Sequence, residues 1–182
     1  DRPRWPRATE GVVLPGRAGT RLRRHDPGMK DPADTPQTRP AHVNWAGNHV
    51  YRVKRLHEPT SVEAIQELVR ASPRLRALGT RHAFNELTDT PGDLVSLRGL
   101  PRRTEVDAAA RTVTVDGGAT YGELCGRLDS AGFALPNLAS LPHISVAGAC
   151  ATGTHGSGVA LGSLAAAVVG LTLVGGDGEL VR

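Results

Sequence analysis

"LPNLASLPHISVAGACATGTHGSG", Leu135 to Gly158, is the stretch whose reading decides the fold. From Ser145 to Gly158 nearly every residue is Gly, Ala, Ser, Thr, Cys or Val. Such a run lets a ligand approach the backbone closely, supplies positive-φ positions, and sets the hydroxyls of Ser140, Ser145, Thr152 and Thr154 beside main-chain amides. A helix N-terminus there would turn about half an elementary positive charge toward an anion. A pyrophosphate suits that chemistry. Tight packing is the ordinary meaning of a lone Gly-x-Gly. Polar small residues interleaved over more than one turn are, however, out of place in a dry seam. The block is neither a Rossmann fingerprint, since no G-x-G-x-x-G follows a strand, nor a Walker loop, since no Gly-Lys-Ser/Thr occurs.

Upstream, "ALGTRHAFNEL", Ala77 to Leu87, places His82 in a tight, small-residue turn directly after a short apolar run. The elements around these two stretches read in order. "NHVYRVKRL" suggests an edge strand. Thr60 and Glu63 have capping-box spacing ahead of a helix whose buried face is Val62, Ile65, Leu68 and Val69, ending by Ser72 before Pro73. "RLRALG" and "DLVSL" are short strands, and "RTEVDAAARTVTVDGG" is a β-hairpin. Thr120 and Glu123 repeat the capping box before a helix with Tyr121, Leu124, Cys125 and Leu128 on one face and Gly132 as its stop. "AAAVVGLTLVGGDGELV" is an apolar strand turning through Gly-Asp-Gly into another. Helices and hairpins mix without strict βαβ alternation, which favours α+β over a doubly wound sheet.

With 182 residues, one compact unit or two small lobes is expected. The first 43 residues hold seven of the thirteen prolines and nine basic against five acidic residues, so the whole net charge of +4 sits there. That composition reads as a disordered Arg/Pro-rich leader, with the folded domain spanning residues 44–182. The remainder is charge-balanced and, at 3% aromatic overall, has neither the basic stripe nor the stacking platform of a nucleic-acid binder. Its apolar runs are short and broken by Gly, which excludes a membrane-spanning helix. Arg23-Arg24 is followed by His25-Asp26-Pro27-Gly28 where an export signal needs an apolar segment. Cys125 and Cys150 have no paired spacing, so a reducing, cytoplasmic setting is expected. His143 and His155 have no ligand-type residue at i+3 or i+4, and no metal site is assigned. The other histidines are expected to be solvated. Cys125 is assigned to the helix core and Cys150 to a small gap.

"LGTRHAFNEL", "RTVTVDGGATYGELCGRLDSAGFALPNLASLPHISVAGACATGTHGSG" and "LTLVGGDGELV" together resemble the FAD-binding half of the vanillyl-alcohol-oxidase, or PCMH-type, flavoproteins, and within them the alditol (xylitol/sorbitol) oxidases. The resemblance runs from about Asn44 to Arg182. It implies a fold of two α+β lobes, incomplete at its C-terminus, with the substrate cap domain falling after Arg182. It also implies that His82 is bonded covalently to the 8α carbon of the flavin. An imidazole fits that role because a neutral ring nitrogen is a competent nucleophile near neutral pH. Gly79, Thr80, Arg81 and Ala83 would wrap the flavin side. Ser140, Ser145, Gly148, Thr152, Gly153, Thr154 and His155 would line the pyrophosphate and adenosine side. Many relatives of this kind carry Gly where Arg81 stands and Ser where Ala83 stands, and the latter removes a hydrogen bond worth about 1 kcal/mol.

The implied activity is oxidation of a polyol's primary alcohol, with dioxygen reduced to hydrogen peroxide. A sugar-acid or aldonolactone substrate is the alternative within the superfamily, and a truncated, non-catalytic FAD-binding remnant is the alternative outside it. No catalytic acid or base is assigned, because the implied substrate site lies outside these residues.

Overall fold

The computed structural model describes residues 12–13 and 42–182. The leader expected over residues 1–43 lies outside that set except for Val12–Val13 and its last two residues. β1 (Val12–Val13) runs antiparallel to β6 (Thr112–Val115), which also pairs with β5 (Thr104–Asp107) in the order β1-β6-β5. The β5–β6 pair is the expected hairpin. Arg111 closes its connection at φ 54, a left-handed position usually left to Gly or Asn.

A second sheet is parallel. β2 (Arg55–His57), β4 (Asp93–Ser96) and β3 (Leu75–Leu78) lie in the order β2-β4-β3, with α1 (Val62–Ala71) joining the two outer strands. Central β4 is the most enclosed: Leu94, Val95 and Ser96 are all buried, as a strand flanked on both sides should be. The strand expected over "NHVYRVKRL" narrows to β2 because the preceding donors are used elsewhere. Tyr51 N–H goes to His42 O at 2.7 Å, Arg52 N–H to the Asp89 carboxylate at 2.7 Å, and Lys54 N–H to Gly92 O at 2.8 Å.

The helix caps divide between agreement and correction. For α2 (Tyr121–Ser130) both halves of the Thr120/Glu123 capping box form, Tyr121, Leu124 and Leu128 are buried, and Gly132 follows at φ 77. For α1 the cap is Ser61, whose Oγ accepts from Ala64 N–H at 3.1 Å, and not Thr60. Adjacent hydroxyl residues offer the same chemistry, and the helix takes the register that buries Ile65. The long apolar strand expected after Gly162 is instead a 3-10 turn over Leu164–Ala167 and a two-residue β7 (Leu173–Val174) paired with β8 (Leu180–Val181). The alanines there lack the branched side chains that favour a pleated strand. Gln66 and Arg70 of α1 both donate to Gly178 O, at 2.7 and 3.0 Å, and tie that hairpin down.

Two small cores result. Val113, Tyr121, Leu124, Leu128, Val146, Ala149 and Leu164 form one; Tyr51, Leu78 and Leu94 form the other. The chain is α+β with two lobes, as the sequence leads one to expect. Where the lobes meet, the turn after β3 abuts α3 (Val146–Ala151).

Candidate functional site

The two unusual stretches of the sequence touch. Ser145 N–H donates to Thr80 Oγ1 at 3.3 Å, across 65 residues. The approach depends on glycine: a Cβ on Gly79 would stand 3.1 Å from Ser145 Oγ, and one on Gly148 would stand 2.6 Å from it. Ser145 is buried and begins α3 without capping it, so its hydroxyl fills the gap between the two glycines. The loop before it is strapped to α2, with Gly122 N–H on Pro142 O at 2.7 Å and Tyr121 N–H on Ile144 O at 3.0 Å.

Arg81 takes φ 67, a left-handed position that glycine adopts without strain. Its guanidinium turns back to Val43 O at 3.3 Å. The carbonyls on either side of His82 are both held by the segment that precedes β2. Trp45 N–H donates to Arg81 O at 2.8 Å, and Asn44 Nδ2 donates to Ala83 O at 3.0 Å. Asn44 is only 1% exposed. Its Oδ1 accepts from His49 N–H at 3.1 Å, and its Nδ2 also reaches Asn48 Oδ1 at 2.7 Å.

The His82 ring stacks on the Trp45 indole, with centroids 4.9 Å apart and planes at 30°, and lies 4.7 Å from the His143 ring. Its Nε2 is buried with no hydrogen-bond partner among the described residues. Burial, then the neighbouring His143 and Arg81, push the His82 pKa down to about 4. The imidazole is therefore neutral at pH 7, with its lone pair available.

Behind this turn sits a second polar group. Arg52 meets the buried Asp89 carboxylate through both its backbone N–H and its Nε at 2.7 Å, and His49 Nε2 approaches the same carboxylate at 3.6 Å. Burial alone would raise the Asp89 pKa, but the Arg52 bonds and the Thr90 amide hold it below its usual value. Burial raises the Tyr51 phenol, with Arg81 opposing and Asp89 reinforcing the shift. His57 likewise bonds Asp93, at 2.8 Å. The expectation that the remaining histidines are solvated is thus corrected for His49 and His57, whose carboxylates come from distant parts of the chain.

Of the other expected site residues, Ser140 precedes α3 and Thr152 to His155 follow its last turn. Thr152 ends that helix, and its hydroxyl turns to Gly148 O at 3.0 Å and to Thr154 Oγ1 at 3.2 Å. Gly153 takes φ 64, and exposed His155 bonds its neighbour Gly156 through Nδ1. These residues lie at the end of α3 away from the His82 turn, about 9 Å along a helix of this length. Ser140 is exposed and, among the described residues, makes no hydrogen bond to the turn. Asn44, Trp45 and His143 escaped the sequence reading as site residues. The Trp within Asn44-Trp45-Ala46-Gly47-Asn48, in an aromatic-poor chain, was the available signal. Among the described residues no three His, Cys, Asp or Glu side chains gather into a metal-ligand set, and no helix is long and apolar enough to cross a membrane. Burial raises both thiols, and Cys150 Sγ packs 3.9 Å from Tyr121 Oη.

The family described as FAD binding domain matches residues 53–182. The chain belongs to this FAD-binding domain family. Alditol oxidase from a Streptomyces species is 50% identical over 143 residues, 77% of this chain and 34% of that protein. L-gulono-1,4-lactone dehydrogenase of Mycobacterium tuberculosis is 34% identical over 146 residues, 78% of this chain and 34% of its own length. Among solved structures, cholesterol oxidase from B. sterolicum superposes with a TM-score of 0.55 at 19% identity, covering 64% of this chain and 24% of that one, which shows a shared fold. This FAD-binding domain spans about a third of the length of the curated relatives it matches.

Proposed function

We propose that the chain supplies the FAD-binding part of an oxidase acting on a polyol's primary alcohol, with the flavin held covalently through His82 and dioxygen as the electron acceptor. The observation that carries the attachment is the buried nitrogen of the neutral His82 imidazole, without a hydrogen-bond partner among the described residues, in a turn fixed on both sides. That orphaned nitrogen fits a covalently held cofactor, because burying a polar atom without a partner costs about 1–3 kcal/mol unless something at the site uses it. The flavin supplies the hydride acceptor that no amino-acid side chain provides.

Attachment would exchange one imidazole N–H of His82 and one methyl C–H of the flavin for a C–N bond, with dioxygen taking up both hydrogens as hydrogen peroxide. In this reading Gly79, Thr80, Arg81 and Ala83 shape the turn along the isoalloxazine, and Ser145 with Gly148 holds that turn against α3. Ser140, Thr152, Gly153, Thr154 and His155 take the diphosphate and adenosine side. Identity of 50% with alditol oxidase supports the polyol, and a cytoplasmic location accords with the two unpaired thiols. The 34% identity with L-gulono-1,4-lactone dehydrogenase supports a lactone as the second reading.

Acid precipitation of the purified, FAD-supplemented protein tests the attachment. Yellow colour should stay in the pellet and be lost from it in His82→Ala; colour released from the unmodified protein refutes the linkage. Turnover with xylitol or sorbitol, against L-gulono-1,4-lactone, by a protein that carries this FAD-binding part together with a substrate part then separates the two substrate readings.

A further inference from the structure

The segment Asn44–His49 grips the His82 turn in a way its own folding does not require. Trp45 N–H and Asn44 Nδ2 take the two carbonyls that flank His82, at 2.8 and 3.0 Å, so the backbone is held immediately before and immediately after the residue. The gripping segment is itself a closed turn: Asn44 N–H bonds His49 O at 3.0 Å, Gly47 N–H bonds Asn44 O at 3.0 Å, and Gly47 supplies φ 78. On this base the Trp45 indole lies over the imidazole at 4.9 Å while 42% of the residue remains exposed. A tryptophan used as core filler would turn its ring inward. This one sets its ring over His82, 6.2 Å from the His143 ring, while staying partly exposed. With no hydrogen bond on Nε2 among the described residues to orient it, the imidazole takes its orientation from the Trp45 and His143 rings packed against it, which stand 6.2 Å from each other.

We infer that Asn44 and Trp45 form a brace that positions the His82 imidazole for attachment of the flavin, with the Trp45 indole setting the ring's orientation. The inference rests on the covalent reading proposed above. Bond formation between an imidazole nitrogen and the 8α carbon, with one hydrogen lost from each and both passed to dioxygen as hydrogen peroxide, needs that nitrogen held at attack distance. Misplacement by about 1 Å costs on the order of a hundredfold in such steps. Trp45 is thus a positioning residue. Among the described residues Trp45, His143 and Arg81 face His82, and Trp45 both stacks on the ring and holds the Arg81 carbonyl through its N–H.

The test uses the full chain prepared without flavin, mixed with saturating FAD, in unmodified, Trp45→Phe, Trp45→Ala and His82→Ala forms. Acid-precipitable flavin is followed with time, non-covalent FAD is measured by gel filtration, and the His82 ring is titrated by NMR before FAD is added. Trp45→Ala should slow attachment about tenfold or more at equal non-covalent occupancy, and Trp45→Phe, which keeps a stacking ring, should stay within about threefold of the unmodified rate. Attachment in Trp45→Ala at the unmodified rate, or slowed only in proportion to lost FAD binding or lost folded protein, overturns the brace. Acid-stable flavin persisting in His82→Ala, or absent from the unmodified protein, sinks the covalent reading instead. In that event the NMR titration decides: uncovering the ring in Trp45→Ala raises the His82 midpoint if the brace exists, and an unmoved midpoint overturns it.

Discussion

Replacing Asn44 by alanine removes the anchor of the His82 turn, and the structure sets the size of the effect. The side chain makes three hydrogen bonds, to Asn48 Oδ1 at 2.7 Å, Ala83 O at 3.0 Å and His49 N–H at 3.1 Å, from a residue 1% exposed. Each contributes about 0.5–1.5 kcal/mol net, and partners left without water lose more, so the truncation should cost about 2–4 kcal/mol. Urea unfolding followed by circular dichroism gives this directly as a lowered midpoint at unchanged slope. A loss below about 1 kcal/mol would mean that the Ala83 carbonyl is not held as described, and the reasoning for a fixed His82 turn would fail.

Three further outcomes follow from the same geometry. The His82 ring should titrate near pH 4, below its ordinary 6.5, so folding stability is fully present above pH 6.5, declines between 6.5 and 4, and levels off below. The decline attributable to this group is at most about 3 kcal/mol, and pH-dependent unfolding of His82→Ala should lack it. Gly148→Ala sets a Cβ 2.6 Å from Ser145 Oγ and should cost about 1–3 kcal/mol. Ser145→Ala in the same chain should recover part of that loss, and strict additivity in thermal melts would contradict the contact. Arg111→Gly relieves a left-handed residue at φ 54 in an exposed hairpin turn and should raise stability by about 0.5 kcal/mol in urea; a lowered midpoint would count against it.

Much of the scaffold was legible because its signals are local. The Thr120/Glu123 box, the Tyr121-Leu124-Leu128 face and the β5–β6 alternation each lie within one helix or hairpin. What escaped the reading is set by distance in sequence. Asn44 reaches Ala83 across 39 residues, Arg52 reaches Asp89 across 37, and Trp45 and His143 meet His82 from segments before and after it in the sequence. No periodicity encodes such contacts. The shift of the α1 cap from Thr60 to Ser61 has another cause, since two neighbouring hydroxyls are interchangeable until packing of Ile65 chooses between them. His82 itself was legible as an unusual histidine. That its Nε2 is buried, with no partner among the described residues, is visible only when the segments around Asn44 and His143 close over it.

Mass spectrometry of tryptic peptides from the FAD-supplemented full chain reads the bond between His82 and the flavin itself. Cleavage after Arg81 yields a peptide that starts at His82 and ends at Arg98, with a single histidine. That peptide should be heavier by one FAD less two hydrogens, and fragmentation should place the addition on the His82 ring. An unmodified His82 peptide beside a protein that keeps its flavin would contradict the account.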